Sequence, residues 1–294
     1  MADIEAKRVR FIGDPTERIE EDALRVMRFF RFGAQLNSFK LDEGGLAACR
    51  AHFDLLQGLS GERVRDELLK IVVAPNARLI FHHMEYLDFL IALFRDIEGH
   101  DFGYGFRFMV EIEEELGLSD PIRRLSLLVV DVEGARTLGE YLRLSAKDVD
   151  RMCAMIAAPP GMSPALYPHT RKIRLYKMGA GLWRDRVLRS WALELGKQFE
   201  TEVDFHSVAD DIAPDEDWLD LLRFPETWPV PVFPLQGADV IDAGVAEGPE
   251  IGRHLAAVEN WWMIRDFRPD HAACVSKLRR RLRWYWLGRR LGFA

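Results

Sequence analysis

Cysteine is scarce in this sequence: only Cys49, Cys153 and Cys274 occur in 294 residues, and no two of them form a C-x-x-C pair. This number and spacing exclude a disulfide framework or a four-cysteine zinc site and favour buried thiols. Long apolar runs are also absent, and residues 1–10 are charged and lack an apolar signal core. We therefore expect no membrane partner and a cytoplasmic location.

Basic residues are outnumbered by acidic ones, and the formal net charge of −7 argues against a general nucleic-acid coat. The exception is the segment 277–290 (KLRRRLRWYWLGRR), which places three aromatic residues between its arginines, Arg279, Arg280, Arg281, Arg283, Arg289 and Arg290. Two interpretations stay open on composition alone. The arginines contact an RNA backbone, or they are solvated on an amphipathic helix that packs Leu282, Tyr285 and Trp286.

Helical periodicity dominates the chain, because apolar residues recur at spacings of three and four and strict alternation is scarce. Helix starts are predicted at Asp14 and Asp120, each followed by proline, and at Ser60 and Asn76. The adjacent tryptophans of NWWMIRDF predict a core anchor. The sequence thus predicts an all-α protein.

Composition shifts suggest three parts. We predict a neck helical bundle over residues 1–100, an extended helical body over 101–225 and a tail over 226–294 that ends in the basic helix. No metal site is predicted, since the adjacent His82 and His83 diverge by about 100° on a helix and are poor co-ligands.

The stretch RIEEDALRVMRFFRF, residues 18–32, predicts one helix with Asp22, Arg25, Arg28 and Arg31 at every third position. On such a helix Asp22 and Arg25 share a flank, and the other arginines continue toward the polar side. The predicted core face consists of Ile19, Ala23, Val26, Met27, Phe30 and Ala34. The ordinary interpretation is a solvated border of spaced ion pairs. The alternative is a nucleotide site, in which a carboxylate accepts from the amino group of cytosine or adenine and a guanidinium donates to the ring nitrogen. Uracil and guanine present the reverse polarity, so this pair would favour CTP and ATP.

The segment RFIGDPTERIEEDALRVMRFFRF resembles the neck motif of class II tRNA nucleotidyltransferases, the family of bacterial CCA-adding enzymes and poly(A) polymerases. LSGERVRDELLKIV resembles the next motif of that family, and FPLQGADVIDAGVAEGPEIGRHLAAVENWWMIRDF resembles its body-and-tail element. The resemblance implies that Asp22 and Arg25 form a template for CTP or ATP, and that Arg28 and Arg31 also contact the nucleotide. It implies tRNA as the partner of the C-terminal arginines. It assigns support of the template helix to Glu21, Glu62 and Arg63.

The family's catalytic head motifs, G-G-x-x-R-D and a strand-borne D-x-D pair that holds Mg²⁺, are not recognised in this sequence. Asp148 and Asp150 lie in a helical pattern that points them apart, and residues 179–185 (GAGLWRD) match the phosphate loop only loosely. We therefore expect Mg²⁺ to act only through a missing head, and this chain to be inactive by itself. It would be a gene fragment, the product of a start-site error, a split enzyme with a separate head subunit, or a headless paralogue. The rival functions are a non-catalytic RNA-binding or regulatory helical protein and a plain scaffold.

Overall fold

The computed structural model describes residues 2–36, 40–95, 97, 104–157, 161–201 and 215–290, and the chain divides into two compact units. The first unit contains residues 1–165 and 180–223, and the second contains residues 166–179 and 224–294. The predicted all-α class is confirmed: the strands among the described residues are a parallel pair of two residues each, β1 (Arg8–Val9) and β2 (Lys40–Leu41). The division into neck, body and tail stays a prediction.

Helices make up the rest of the regular structure. Those that lie wholly in the first unit are α1 (Ala2–Glu5), α2 (Pro15–Glu21), α3 (Leu24–Gln35), α4 (Glu43–Ala51), α5 (Gly61–Val72), α6 (Ala77–Tyr86), α7 (Phe89–Leu93), α8 (Gly105–Glu115), α9 (Pro121–Leu125), α10 (Val132–Tyr141) and α11 (Ala146–Ile156), with 3-10 turns at Phe53–Gly58 and Ser126–Leu128. Both units contribute residues to α12 (Pro168–Thr201), which has a non-helical residue at Gly179, and to α13 (Glu216–Thr227). The second unit also contains α14 (Gly237–Asp242), α15 (Pro249–Ile264) and α16 (His271–Arg290).

Local capping explains where several helices begin. The carboxylates of Asp14 and Asp120 each accept the backbone N–H three residues on, at 3.1 and 2.9 Å, so both predicted starts are confirmed. Ser60 precedes α5 as predicted but makes no capping bond with its side chain. Asn76 precedes α6, and its side-chain amide instead donates to the carbonyl of Gly33 in α3 and to that of Leu36, the residue after α3. One asparagine therefore ends one helix and starts the next.

The core of the first unit is built around α3. Val26, Met27 and Phe30 are fully buried on its inner face, and α3 packs mainly against α5 and α6. This face was predicted from periodicity, with the difference that Ala23 is only partly buried. The Phe30 ring lies 4.8 Å from that of Phe89, in the tilted geometry that aromatic pairs favour.

The second unit has its own core, in which α15 packs on α14 and on α16. Trp262 is its largest buried side chain at 1% exposure, and its indole N–H donates to the carbonyl of Pro269 at 3.0 Å. Val258, Leu278 and Leu282 complete the contact between α15 and α16. Within the described part of the chain, none of the helices is both long enough and apolar enough to cross a bilayer.

Candidate functional site

The helix predicted to run through Asp22 is broken there, so that expectation is wrong. Helix α2 ends at Glu21, α3 begins at Leu24, and Asp22 between them has an extended backbone with φ −156° and ψ 103°. The carboxylate of Asp22 accepts the backbone N–H of Leu24 at 3.1 Å. An aspartate side chain competes with helix continuation by satisfying the N–H groups of the following turn. The break places Asp22 at a junction of two helices, one turn before Arg25.

Asp22 and Arg25 are each held by a different partner of opposite charge. The guanidinium of Arg63 donates to both carboxylate oxygens of Asp22, at 2.9 and 3.1 Å. Arg25 donates to Glu21 at 2.6 Å and to the carbonyl of Arg18 at 2.7 Å, and its hydrogen bond lowers the pKa of Glu21 below the ordinary value. The side chains of Asp22 and Arg25 remain 24% and 26% exposed. Both groups are thus oriented by neighbours and still reachable from solvent.

The buried carboxylate of Glu67 on α5 lies close to three cations, two from α3 and one from α5. Arg31 lies 2.9 Å from Glu67, and Arg28 and Lys70 each lie 3.8 Å from it. The guanidinium of Arg31 also stacks 4.7 Å from the ring of Phe32. One negative charge cannot neutralise three positive ones, so this corner of the first unit carries a local positive excess that suits an anionic ligand.

The residues predicted to support the template are only partly brought together. Glu21 pairs with Arg25, and Arg63 pairs with Asp22, so both touch the groups that they were expected to hold. Glu62 instead lies in the first turn of α5, 4.0 Å from Arg143. Its side chain faces a different part of the first unit because it precedes Arg63 by one residue, about 100° around the helix.

The first unit also contains a buried ion cluster that no sequence pattern predicted. Glu113 contacts both Arg123 and Arg124, the latter at 2.6 Å, and Arg123 reaches Asp185 at 3.0 Å. Asp185 also pairs with Arg151 at 2.8 Å. Asp185 is part of the segment that loosely matched a phosphate loop, and this cluster gives it a structural role. Single-sequence patterns carry no signal for it, because Arg123 and Asp185 are 62 positions apart.

The basic face of α16 is present among the described side chains. Arg279, Arg280, Arg281 and Arg283 are exposed while Leu282 is buried, as an amphipathic helix requires. Arg281 donates to Nδ1 of His254 at 3.3 Å. The predicted contacts at Tyr285, Trp286, Arg289 and Arg290 lie outside the described side chains.

The motif GADVIDAGVAEGPEIG forms the starts of two helices. Asp239 accepts the backbone N–H of Gln236 at 2.8 Å, in a capping box at the start of α14, and lies 2.9 Å from His271 at the start of α16. Gly248 has φ 151°, and Pro249 occupies the first position of α15. The motif therefore forms the starts of α14 and α15 and contacts the first residue of α16.

The turn between α15 and α16 is tied down by Asp266, which gives a testable pH dependence. Lys172 donates to its carboxylate at 2.8 and 3.1 Å, and this bond, with the nearby His169 and Arg268, lowers the pKa of Asp266 below 3.8. A lowered folded-state pKa adds stability above 3.8, and that stability is lost as the pH falls through the lowered value. We expect the difference in unfolding free energy between wild type and Asp266→Asn, measured by urea titration, to shrink as the pH falls below 3.8. Lys172→Met should remove most of this pH dependence, and a difference that does not change with pH would contradict the assignment.

No group of three His, Cys, Asp or Glu side chains within the described ranges has a geometry that could hold a metal ion.

Comparison with known proteins gives a consistent result. A family model described as the probable RNA- and SrmB-binding site of polymerase A matches residues 38–100. The mitochondrial CCA tRNA nucleotidyltransferase 1 of Mus musculus is 24% identical over 291 residues, which cover 95% of this chain and 60% of the mouse protein. The CCA-adding enzyme of Streptococcus pyogenes serotype M3 is 45% identical over 78 residues, which cover 26% of this chain and 19% of that enzyme.

Solved structures show the same fold. The CCA-adding enzyme of Bacillus stearothermophilus in complex with CTP superposes with a TM-score of 0.66 at 20% identity, covering 98% of this chain and 68% of that one. The Thermotoga maritima CCA-adding enzyme complexed with tRNA superposes with a TM-score of 0.53 at 14% identity, covering 96% and 66%. The chain spans about 60% of the length of the mouse relative that it matches.

Proposed function

Because this chain belongs to the family of CCA-adding enzymes and poly(A) polymerases, as its C-terminal body and tail part, we propose that it reads CTP and ATP through Asp22 and Arg25 and binds tRNA. In the whole protein these contacts select the nucleotide whose CMP or AMP is transferred to a tRNA 3′ end, with release of pyrophosphate. The ions for that transfer would be held by a catalytic head, because two-metal phosphoryl transfer needs a carboxylate pair.

The observation that supports the proposal is the spacing and exposure of Asp22 and Arg25. They lie one turn apart, joined by a backbone hydrogen bond of 3.0 Å from Arg25 to Asp22, and each is about a quarter exposed. Asp22 is an acceptor only and Arg25 a donor only, so together they match the amino group and ring nitrogen of cytosine and of adenine. The excess of positive charge around Arg28 and Arg31 suits the triphosphate.

Nucleotide binding by the full chain tests this proposal directly. Calorimetry with CTP, ATP, UTP and GTP should show CTP and ATP binding about tenfold tighter than the other two, since a mismatched donor or acceptor costs about 1–3 kcal/mol. Asp22→Asn, which retains an acceptor for the cap, should remove most of this preference. Arg25→Ala should weaken CTP and ATP by a similar factor.

Arg50→Ala is the matched control, because Arg50 is an exposed arginine of the first unit that pairs with Asp88 at 3.4 Å. It should leave all four affinities unchanged. Equal binding of the four nucleotides by wild type would contradict base reading and leave only charge attraction.

A second candidate function is RNA binding without nucleotide selection, as in a non-catalytic or regulatory relative. The match of residues 38–100 to a probable RNA-binding region favours it. A tRNA titration beside the nucleotide titrations separates the two candidates: tRNA binding together with equal affinity for the four nucleotides supports the second.

A further inference from the structure

A shallow groove of about 450 Å³ lies on the second unit, where α15 ends and α16 begins. Its lining residues are Trp261, Arg265, Arg268, Pro269 and Ala273. None of these residues belongs to the basic face predicted for α16. The groove combines an aromatic plane with two cations.

Trp261 supplies the aromatic plane of the groove, and its neighbour Trp262 has a different role. Adjacent residues on a helix point about 100° apart, so Trp262 enters the core while Trp261 packs against its edge. Trp262 is buried, whereas Trp261 is only partly buried and contributes to the groove. The prediction of a core anchor is therefore confirmed for Trp262 and incomplete for Trp261. Lys277 on α16 places its ammonium 5.6 Å from the Trp261 ring centroid.

The two cations are placed by an unusual turn. Asp266 and Phe267 both have left-handed backbones, with φ of 59° and 62°, which residues other than glycine rarely adopt. The turn is held by the bonds from Lys172 to Asp266 and by the Phe267 ring, 5.0 Å from that of Trp262. Arg265 and Arg268 flank this turn, and both are exposed at the groove.

Charge around the groove favours an anionic ligand. Arg265, Arg268 and Lys277 supply three positive charges at the groove, and the one negative charge of Asp266 is shared between Lys172 at 2.8 Å and Arg268 at 3.4 Å. Asp270 is exposed nearby and caps α16 through the backbone N–H of Ala273 at 2.9 Å. A ligand that carries both a flat aromatic ring and phosphate groups matches this arrangement better than an acidic peptide, which offers no ring to stack.

We propose that this groove is a stacking platform for one unpaired nucleobase of an RNA, with Trp261 against the base and Arg265 and Arg268 on the flanking phosphates. This inference rests on the proposed function, in which the chain binds RNA, and adds that the second unit holds a nucleotide outside a duplex. Stacking on an indole does not read base identity, so the platform accepts any unpaired base. Bases inside a duplex are excluded because both of their faces are already stacked on their neighbours.

The experiment compares two RNA probes with the full chain. One is an unstructured, mixed-sequence single strand of about eight nucleotides, within the usual site sizes of single-strand binders, and the other is a blunt duplex of the same length. Trp261→Leu should weaken the single strand about tenfold or more, as removal of one stacking partner does, and leave the duplex unchanged. Trp261→Phe retains an aromatic plane and should bind nearly as well as wild type.

Charge variants report on the phosphate contacts. Arg265→Gln and Arg268→Gln should each weaken the single strand and reduce the slope of log affinity against log salt by about 0.7. Arg253→Gln is the matched control: Arg253 is an exposed residue of α15 outside the groove, so the same loss of charge should have little effect. Thermal unfolding of each variant verifies that the fold is retained.

The outcomes are distinct. Unchanged single-strand affinity in Trp261→Leu overturns the platform, and equal weakening of single strand and duplex overturns it in favour of backbone contact alone. Both results leave the proposed RNA-binding function standing. Failure of wild type to bind tRNA or either probe would overturn the RNA-binding part of the proposed function and the platform together.

Discussion

Replacing Glu113 by glutamine is expected to lower the free energy of unfolding by about 3–5 kcal/mol, as loss of one partner in a buried ion pair usually does. Glu113 is fully buried and is the shared acceptor of Arg123 and Arg124, which are also buried. Three carboxylates and three guanidiniums meet in this cluster, which includes Asp120 and Arg151, so their charges balance. Glutamine retains the shape but removes one charge, so Arg124 loses the carboxylate it pairs with and Arg123 keeps only Asp185 and Asp120.

Urea unfolding followed by circular dichroism measures this change. Glu115→Gln on the same helix is the control, because Glu115 is exposed and its replacement should change the unfolding free energy by no more than about 0.5 kcal/mol. The loss in Glu113→Gln should also be nearly independent of salt, since buried charges are screened far less than exposed ones. A loss as small as that of the control would show that Arg123 and Arg124 find other partners without Glu113.

Glu67→Gln is expected to lower the unfolding free energy by about 2 kcal/mol, less than for Glu113 because its cationic partners are partly exposed. Glu67 is buried, and its negative charge offsets the mutual repulsion of Arg28, Arg31 and Lys70. Without its charge the three cations repel each other across α3 and α5. The same measurement detects the loss, and Glu43→Gln at the exposed start of α4 is the control.

Tripolyphosphate should restore part of the stability that Glu67→Gln loses. A ligand that binds only the folded state stabilises it by mass action, and three uncompensated cations form a stronger anion site than the wild type does. Thermal unfolding with tripolyphosphate, against sodium chloride at equal ionic strength, measures this effect. If tripolyphosphate stabilises the variant no more than sodium chloride does, Arg28 and Arg31 do not face a site that accepts a triphosphate.

Local signals account for the parts of the fold that the sequence predicted. Asp14 and Asp120 start helices because each carboxylate bonds an N–H only three residues away, which depends on little beyond the local chain. The buried face of α3 follows from the 3.6-residue period in the same way. The break at Asp22 was missed because its neighbours have good helical propensity, and the competing cap is decided by where Arg63 holds the carboxylate.

In the candidate sites, too, the sequence identified the charged residues but not their partners. Asp22, Arg25, Arg28 and Arg31 were chosen from their spacing, but the partners that orient them could not be read from that spacing. Arg63 reaches Asp22 across 41 positions. Trp261 and Trp262 look alike in the sequence, and only the packing of α15 on α16 decides which ring is buried.

The sequence by itself determined the helical class, several helix starts, the buried face of α3 and the choice of residues that carry charge near Asp22. Those properties depend on neighbours within about one or two turns, where the backbone geometry is already fixed. Only the tertiary structure decided which charges meet: the Glu113 cluster, the hold of Glu67 on three cations, and the groove at Trp261. These contacts join residues far apart in the chain, and their energies depend on a burial that no short segment specifies.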